Sequence, residues 1–145
     1  MKRIIFLSLF PCLVWAGGKS VNWSASLKGV ESGEQVWLEK VPELAAAADI
    51  KQSINLENAL AEALSKNTLG VLSALSIIDA STWPHMIGTD LVCSIPAERS
   101  APVIEDFYQR TRFALLSTDK GAVCLWVLEA SYEEWKQDNS RKAKQ

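Results

Sequence analysis

Cys93 and Cys124 constrain the fold of this 145-residue chain more than any other pair of residues, because a bond between them would close a loop of 31 residues. Disulfides persist in oxidising compartments, and a loop of that length contributes roughly 3.5 kcal/mol in the chain-entropy model. We therefore predict a Cys93–Cys124 disulfide. The alternative is a reactive Cys93 thiolate with His85 as its base, which pairing with Cys124 would abolish.

The N-terminal segment predicts the compartment. A Lys-Arg pair precedes an apolar run over residues 4–14, and small residues follow up to Ala16 and Gly17. This order is typical of a secretory signal peptide, here residues 1–16, with cleavage between Ala16 and Gly17. The apolar run is shorter than the roughly 20 residues that span a bilayer. A buried N-terminal strand or helix, or a lipidated Cys12, are the alternatives.

The charge balance excludes one class of partner. Cleavage would leave 129 of 145 residues and remove two of the 15 basic side chains, so 13 basic residues would face 17 acidic ones. A nucleic-acid-binding protein would carry a basic face, so we expect no nucleic-acid partner. The sequence that would remain after cleavage has no second apolar run, so we predict no membrane anchor. These features favour a periplasmic protein of a Gram-negative bacterium.

Residues 17–40 differ in pattern from the rest of the chain. Apolar and polar side chains alternate from Val21 to Leu27, with a period of two that is typical of a half-buried strand. A Ser-Gly pair at 32–33 adds a turn signal. We predict an extended arm over a helical core, or a β-hairpin as the alternative.

Residues 41–138 have the apolar spacing of helices. Asp49 and Gln52 stand three apart like a helix cap and its reciprocal partner, and two consecutive helices are predicted at about 54–66 and 69–80, with one kinked helix as the alternative. The second is apolar nearly all round and should be buried. Ser100 precedes another helix, and a last helix is predicted at about 120–138.

The predicted fold is therefore an all-α bundle of four to five helices with an N-terminal arm or hairpin and one disulfide. The stripe of Cys124, Leu128, Tyr132 and Trp135 on the last helix would face the core, so the bridge would hold the loop carrying Cys93 against that helix. The basic residues 139–145 are predicted to form a frayed tail.

The segment 79–96 resembles neither neighbour and lacks helical periodicity. A loop of this length in a small domain is either folded onto itself or functional. Trp83, His85 and Met86 are its candidate partner-binding residues, since tryptophan is enriched at binding hot spots and methionine adapts to irregular surfaces. The interpretation that we prefer is a packed loop whose tryptophan and methionine fill the core, and an active-site role is the third alternative.

Two further tryptophans are candidates for an exposed apolar surface. Trp126 lies two residues from Cys124 and so points away from the core stripe, and Trp37 lies in the predicted arm. An exposed apolar patch often marks a binding site. The interpretation that we prefer is that the arm, with Trp23 and Trp37, covers Trp126.

The sequence carries no motif for catalysis, phosphate binding or cofactor binding, and we expect no cofactor and no metal. Adjacent carboxylates such as Glu105 and Asp106 point in different directions on a helix and are expected to be solvated. The function predicted is therefore binding of another protein, as an inhibitor or immunity protein for an envelope-targeted enzyme. The alternatives are an accessory subunit of an envelope assembly, such as a secretion or conjugation apparatus, and a small hydrolase that uses the 79–96 loop.

Overall fold

The computed structural model describes residues 20–81 and 87–145, and this part of the chain is all-α, as predicted. The signal peptide predicted at residues 1–16, with its cut between Ala16 and Gly17, lies outside the described residues. The described part contains eight α-helices and one 3-10 turn. They are α1 (Trp23–Glu31), α2 (Gln35–Leu38), α3 (Val41–Ala47), α4 (Ile50–Leu64), α5 (Thr68–Asp79), α6 (Thr89–Val92), α7 (Ala101–Leu116), the 3-10 turn (Asp119–Gly121) and α8 (Ala122–Lys142).

The number of helices exceeds the four or five predicted. Two of the additional ones, α2 and α6, are single turns of four residues each. A segment this short cannot display an apolar repeat of 3.6 residues, so periodicity does not detect it.

The prediction of an extended arm or hairpin over residues 17–40 is wrong for the described residues 20–40, which form α1 and α2. Asn22 caps α1 by accepting a hydrogen bond from the Ala25 amide at 3.1 Å. The side chains of α1 that face inward also fit a spacing of three and four residues, at Trp23, Ser26, Leu27 and Val30. The apparent alternation of period two is therefore one part of a helical repeat.

The predicted Ser-Gly turn is present, but it joins two helices rather than two strands. Gly33 has a φ of 77°, the left-handed conformation that glycine adopts just after a helix. The side-chain amide of Asn67 donates to the Gly33 carbonyl at 2.9 Å, and the Lys66 ammonium donates to the Glu31 carbonyl at 2.8 Å. The end of α1 is thus bound to the connection between α4 and α5.

The predicted cap formed by Asp49 and Gln52 is confirmed, and the helix that follows it begins at Ile50 rather than at about residue 54. Asp49 accepts from the Gln52 amide at 2.7 Å, and the Gln52 side chain accepts from the Asp49 amide at 2.9 Å. Asn67 caps α5 by accepting from the Gly70 amide at 3.0 Å, so two helices are present rather than one kinked helix.

The core is one cluster to which every long helix contributes, with Val30, Leu60, Leu75, Phe107 and Leu128 among its fully buried members. α1 packs on α4, α4 packs on α5 and α6, and α7 packs on α8, while α6 also contacts α8. The predicted inward stripe of α8 is correct, since Cys124, Leu128 and Tyr132 are buried and Trp135 is half-buried. α8 continues to Lys142, so residues 139–142 of the predicted frayed tail are helical.

Candidate functional site

The predicted disulfide between Cys93 and Cys124 is confirmed. It joins the end of α6 to the first turn of α8, with a Cα–Cα distance of 5.3 Å, and both residues are buried. The alternative of a reactive Cys93 thiolate is wrong for this structure because the sulfur is already bonded. The bridge closes a loop that contains all of α7 and fixes the backbone on which the first turns of α8 begin.

Trp83, His85 and Met86, the candidate binding residues of the 79–96 segment, lie outside the described residues. What the structure shows is how this segment begins and ends. The Asp79 carboxylate accepts one hydrogen bond from the Thr89 amide at 3.0 Å and a second from the Thr89 hydroxyl. Asp79 therefore joins the end of α5 to the start of α6.

Trp126 and Trp37 occupy different environments. The Trp126 side chain is 76% exposed, so the interpretation that the N-terminal arm covers it is wrong. Trp37 is half-buried and packs over Gly29 of α1, and the Lys40 ammonium lies 4.7 Å from its ring centroid. Trp37 therefore helps to hold α1 and α2 together, while Trp126 faces solvent.

Trp126 is one of four exposed apolar side chains on the parts of α7 and α8 nearest the connection between these helices. Phe113 and Leu116 lie in the last turn of α7, and Val123 lies one turn before Trp126 on α8. All four are exposed, Phe113 at 77%. Because they lie near the turn that joins α7 and α8 into a helical hairpin, we call this set the hairpin-end surface. Buried residues of α7 and α8 face the core at the intervening positions, so these four side chains are left on the outer faces of the two helices.

A groove on α5 lies beside the 3-10 turn that connects α7 to α8. Its volume is about 530 Å³, and its lining includes Leu69, Leu72, Ile77 and Lys120. Leu69 and Ile77 are exposed, so the expectation that α5 is buried all round is wrong for this face. Lys120 belongs to the 3-10 turn between α7 and α8. The groove therefore places further apolar residues beside the connection of these two helices.

A polar ladder joins α7 to α8 away from that surface. The rings of Tyr108 and Tyr132 stack with centroids 3.7 Å apart. The Tyr108 hydroxyl donates to Glu129 at 2.7 Å, and the Tyr132 hydroxyl donates to Glu105 at 2.9 Å. Burial and the hydrogen bond to Glu129 raise the pKa of Tyr108 to about 12. Glu105, expected from the sequence to be solvated, is thus a partner in helix packing.

A narrow cleft separates α4 from α7 near the disulfide. It has a volume of about 220 Å³ and is lined by α4, by Leu91 of α6, by the segment that follows Cys93 and by the first half of α7. Glu57 of α4 lies on its wall, and burial raises the pKa of this carboxyl. Leu91, Ile95 and Val103 give the cleft apolar surface, and a carboxyl with a perturbed pKa, such as Glu57, is a common feature of functional sites, so this cleft is the second candidate site.

A wider groove, with a volume of about 520 Å³, runs between residues 94–101 and the second half of α8. Charges of both signs surround it, with Arg99 and Lys142 opposing Glu134 and Asp138. Its electrostatics therefore favour no single class of ligand.

The remaining chemistry of the described residues is limited. Within residues 20–81 and 87–145, no group of three or more histidine, cysteine, aspartate or glutamate side chains is arranged to hold a metal ion. In the same ranges no helix has the length and apolar character needed to cross a membrane.

Sequence reasoning found the disulfide and singled out Trp126, but it missed Phe113, Glu57 and the tyrosine ladder. Phe113 points outward because it lies midway between Thr111 and Leu115, both of which are buried on the inner face of α7. Comparison of the chain with family models, with curated proteins and with solved structures finds no match.

Proposed function

We propose that the protein binds another protein through the hairpin-end surface, in the periplasm of a Gram-negative bacterium. The observation that carries the proposal is the exposure of Trp126 and Phe113, at 76% and 77%, on adjoining helix ends. Large aromatic side chains contribute most of the binding energy at many interfaces, and exposed large apolar side chains are otherwise unfavourable in water.

The disulfide adds a second argument, because it lies two residues from Trp126. Cys124 is covalently joined to α6, so the first turns of α8 keep one orientation whether or not a partner is bound. A surface that is ordered in advance loses less conformational entropy on binding. An intact disulfide is also consistent with an oxidising compartment, and the N-terminal sequence favours export to the periplasm.

Within this class we propose an inhibitor or immunity protein that acts on an envelope-targeted enzyme. A small, acidic, exported protein with a rigid apolar contact surface suits a stable one-to-one complex with a soluble enzyme. The inhibitor would act by occupying the enzyme rather than by chemistry of its own.

Site-specific photocrosslinking in intact cells tests the proposal. A photoreactive phenylalanine derivative is placed at position 113 or 126, and at Ile50 of α4 as the control, because Ile50 is also apolar and exposed. We expect positions 113 and 126 to yield one adduct with the same protein and position 50 to yield none. A soluble enzyme that the purified chain inhibits at a one-to-one ratio would support the inhibitor role. Equal crosslinking at all three positions, or no adduct at 113 and 126, would contradict the proposal.

A further inference from the structure

The cleft beside Glu57 differs from the hairpin-end surface in size and in charge. Its volume of about 220 Å³ is below the roughly 300–1,000 Å³ of pockets that enclose a whole small molecule. The space therefore suits a single long side chain. Leu91 and Val103, 53% and 46% exposed, lie along it, and the buried Phe107 also contributes to its lining.

The acidic side chains of the cleft are not equivalent. Glu62 pairs with Arg110 at 2.9 Å. Glu98 lies 4.0 Å from Arg99, which also lines the cleft, and the side chains of Glu98 and Arg99 are both well exposed. The Glu57 carboxylate makes no hydrogen bond and no ion pair with any residue that the structure describes. Its raised pKa has burial as its cause, and a half-buried carboxylate of this kind is stabilised when a cation approaches.

The chain itself shows how α4 binds a cation. The Arg110 guanidinium lies 5.2 Å from the centroid of the Phe107 ring and donates to Glu62, five residues after Glu57 on the same helix. Long basic side chains favour an arrangement in which the aliphatic stem lies along an apolar surface. The charged group at the end of the stem can then meet a carboxylate. At Glu57 the apolar surface and the carboxylate are both present.

We propose that the cleft between α4, α7 and residues 94–99 binds an arginine side chain that a partner protein presents. The stem would lie along Leu91 and Val103, and the guanidinium would meet the Glu57 carboxylate. Arginine is preferred to lysine because its planar group can donate two hydrogen bonds to one carboxylate and is more weakly hydrated than an ammonium group. The net charge of −2 also favours a basic partner segment.

This inference rests on the proposed function only for the source of the arginine, and the cleft can be tested without the partner. The probe is N-acetyl-arginine amide, titrated into ¹⁵N-labelled protein whose amide signals are followed by NMR. N-acetyl-lysine amide and the neutral N-acetyl-glutamine amide are the comparison probes. We expect saturable shifts at the amides of Ala61, Leu91, Ser94 and Val103, strongest with the arginine probe.

Variants at two glutamates complete the test. Glu57→Gln should weaken binding of the arginine probe about tenfold, while Glu43→Gln on α3, also exposed to solvent, should leave it unchanged. Equal binding of the glutamine probe, unchanged binding by Glu57→Gln, or no saturable shift with the arginine probe would overturn the inference. Crosslinking from positions 113 and 126 in the Glu57→Gln background shows separately whether the proposed function stands.

Discussion

The packing of α1 on its neighbours α2 and α4 and the packing of α7 on α8 use different physical means. On the N-terminal side, α1 buries the small residues Ser26 and Gly29, with Gly29 under the indole ring of Trp37 on α2, and the hydrogen bonds from its end go to the connection between α4 and α5. On the C-terminal side, stacked tyrosines and carboxylates join the two helices, and a disulfide encloses α7. The first interface depends on shape, while the second depends on polar pairing and a covalent bond. Substitutions that change side-chain volume should therefore destabilise mainly the packing of α1. Reduction or alkaline pH should destabilise mainly the packing of α7 on α8.

The largest effect is expected from removal of the disulfide. Reduction should lower the free energy of unfolding by roughly 3.5 kcal/mol, because the unfolded chain regains the freedom of a 31-residue loop. Urea unfolding with and without reductant measures the change. Hydrogen exchange should then accelerate more in α6, α7 and α8 than in α1 and α4. An equal acceleration in all five helices would remove the distinction between the two sides.

A methyl group at Gly29 should have the next largest effect. A Cβ atom there would lie 2.2 Å from Cγ of Trp37, so the indole must move. We expect Gly29→Ala to cost about 2 kcal/mol by overpacking, and Trp37→Leu to restore part of it in the double variant. Ser24→Ala, on an exposed position of the same helix, is the control for thermal and urea unfolding. A stabilised Gly29→Ala protein would show that shape does not hold α1 in place, since alanine favours helices over glycine.

The tyrosine ladder should have a smaller effect that depends on pH. Tyr108→Phe removes the hydrogen bond to Glu129 and should cost about 1 kcal/mol at neutral pH. The pKa of Tyr108 is about 12 in the folded protein and near 10 in an unfolded chain, so the unfolded chain loses its proton first as pH rises. The stabilisation is therefore complete below pH 10 and falls as pH rises from about 10 towards 12.

Urea unfolding at pH 8 and at pH 11 compares the original protein with Tyr108→Phe. The fall in stability between the two pH values should be smaller in the variant. Some fall should remain, because burial also raises the pKa of Tyr132. An identical pH dependence in both proteins would assign the alkaline sensitivity to other groups.

The smallest effect on stability is expected at the hairpin-end surface. Trp126→Ala and Phe113→Ala should each change the free energy of unfolding by less than about 0.5 kcal/mol, because both side chains are already exposed. Trp37→Ala, in contrast, removes a half-buried ring and should cost more. Circular dichroism during thermal unfolding provides the comparison. A large loss of stability at Trp126 would mean that it holds the fold together rather than facing a partner.

The same comparison explains which features were predictable from the sequence. Asp49 with Gln52, the stripe that begins at Cys124 and the disulfide all follow rules of spacing or residue type, and each was found. The helix α1 was missed because four alternating residues fit a strand locally, and only its contacts with α4 and with Trp37 decide between the two. Local pattern is weaker than tertiary packing in a short segment.

The candidate sites were predictable to a lesser extent. Trp126 could be singled out because its position relative to Cys124 turns it away from the core. The environments of Arg110 and Glu57 could not be, since Arg110 bonds Glu62 and Ser65, which lie 48 and 45 residues earlier in the chain. Contacts between distant segments depend on how helices are arranged, and no single segment contains that information.

The closed loop between Cys93 and Cys124 also determines what a protease could release from this protein. A single cut anywhere between these two cysteines would give two chains that stay covalently joined, with α8 still attached to α6. A second cut, or a reductant, would be needed to free a fragment from such a nicked chain. The two new chain ends would therefore stay in one molecule. Before reduction, one cleavage within or beside α7 would change the mass of the molecule only by one added water.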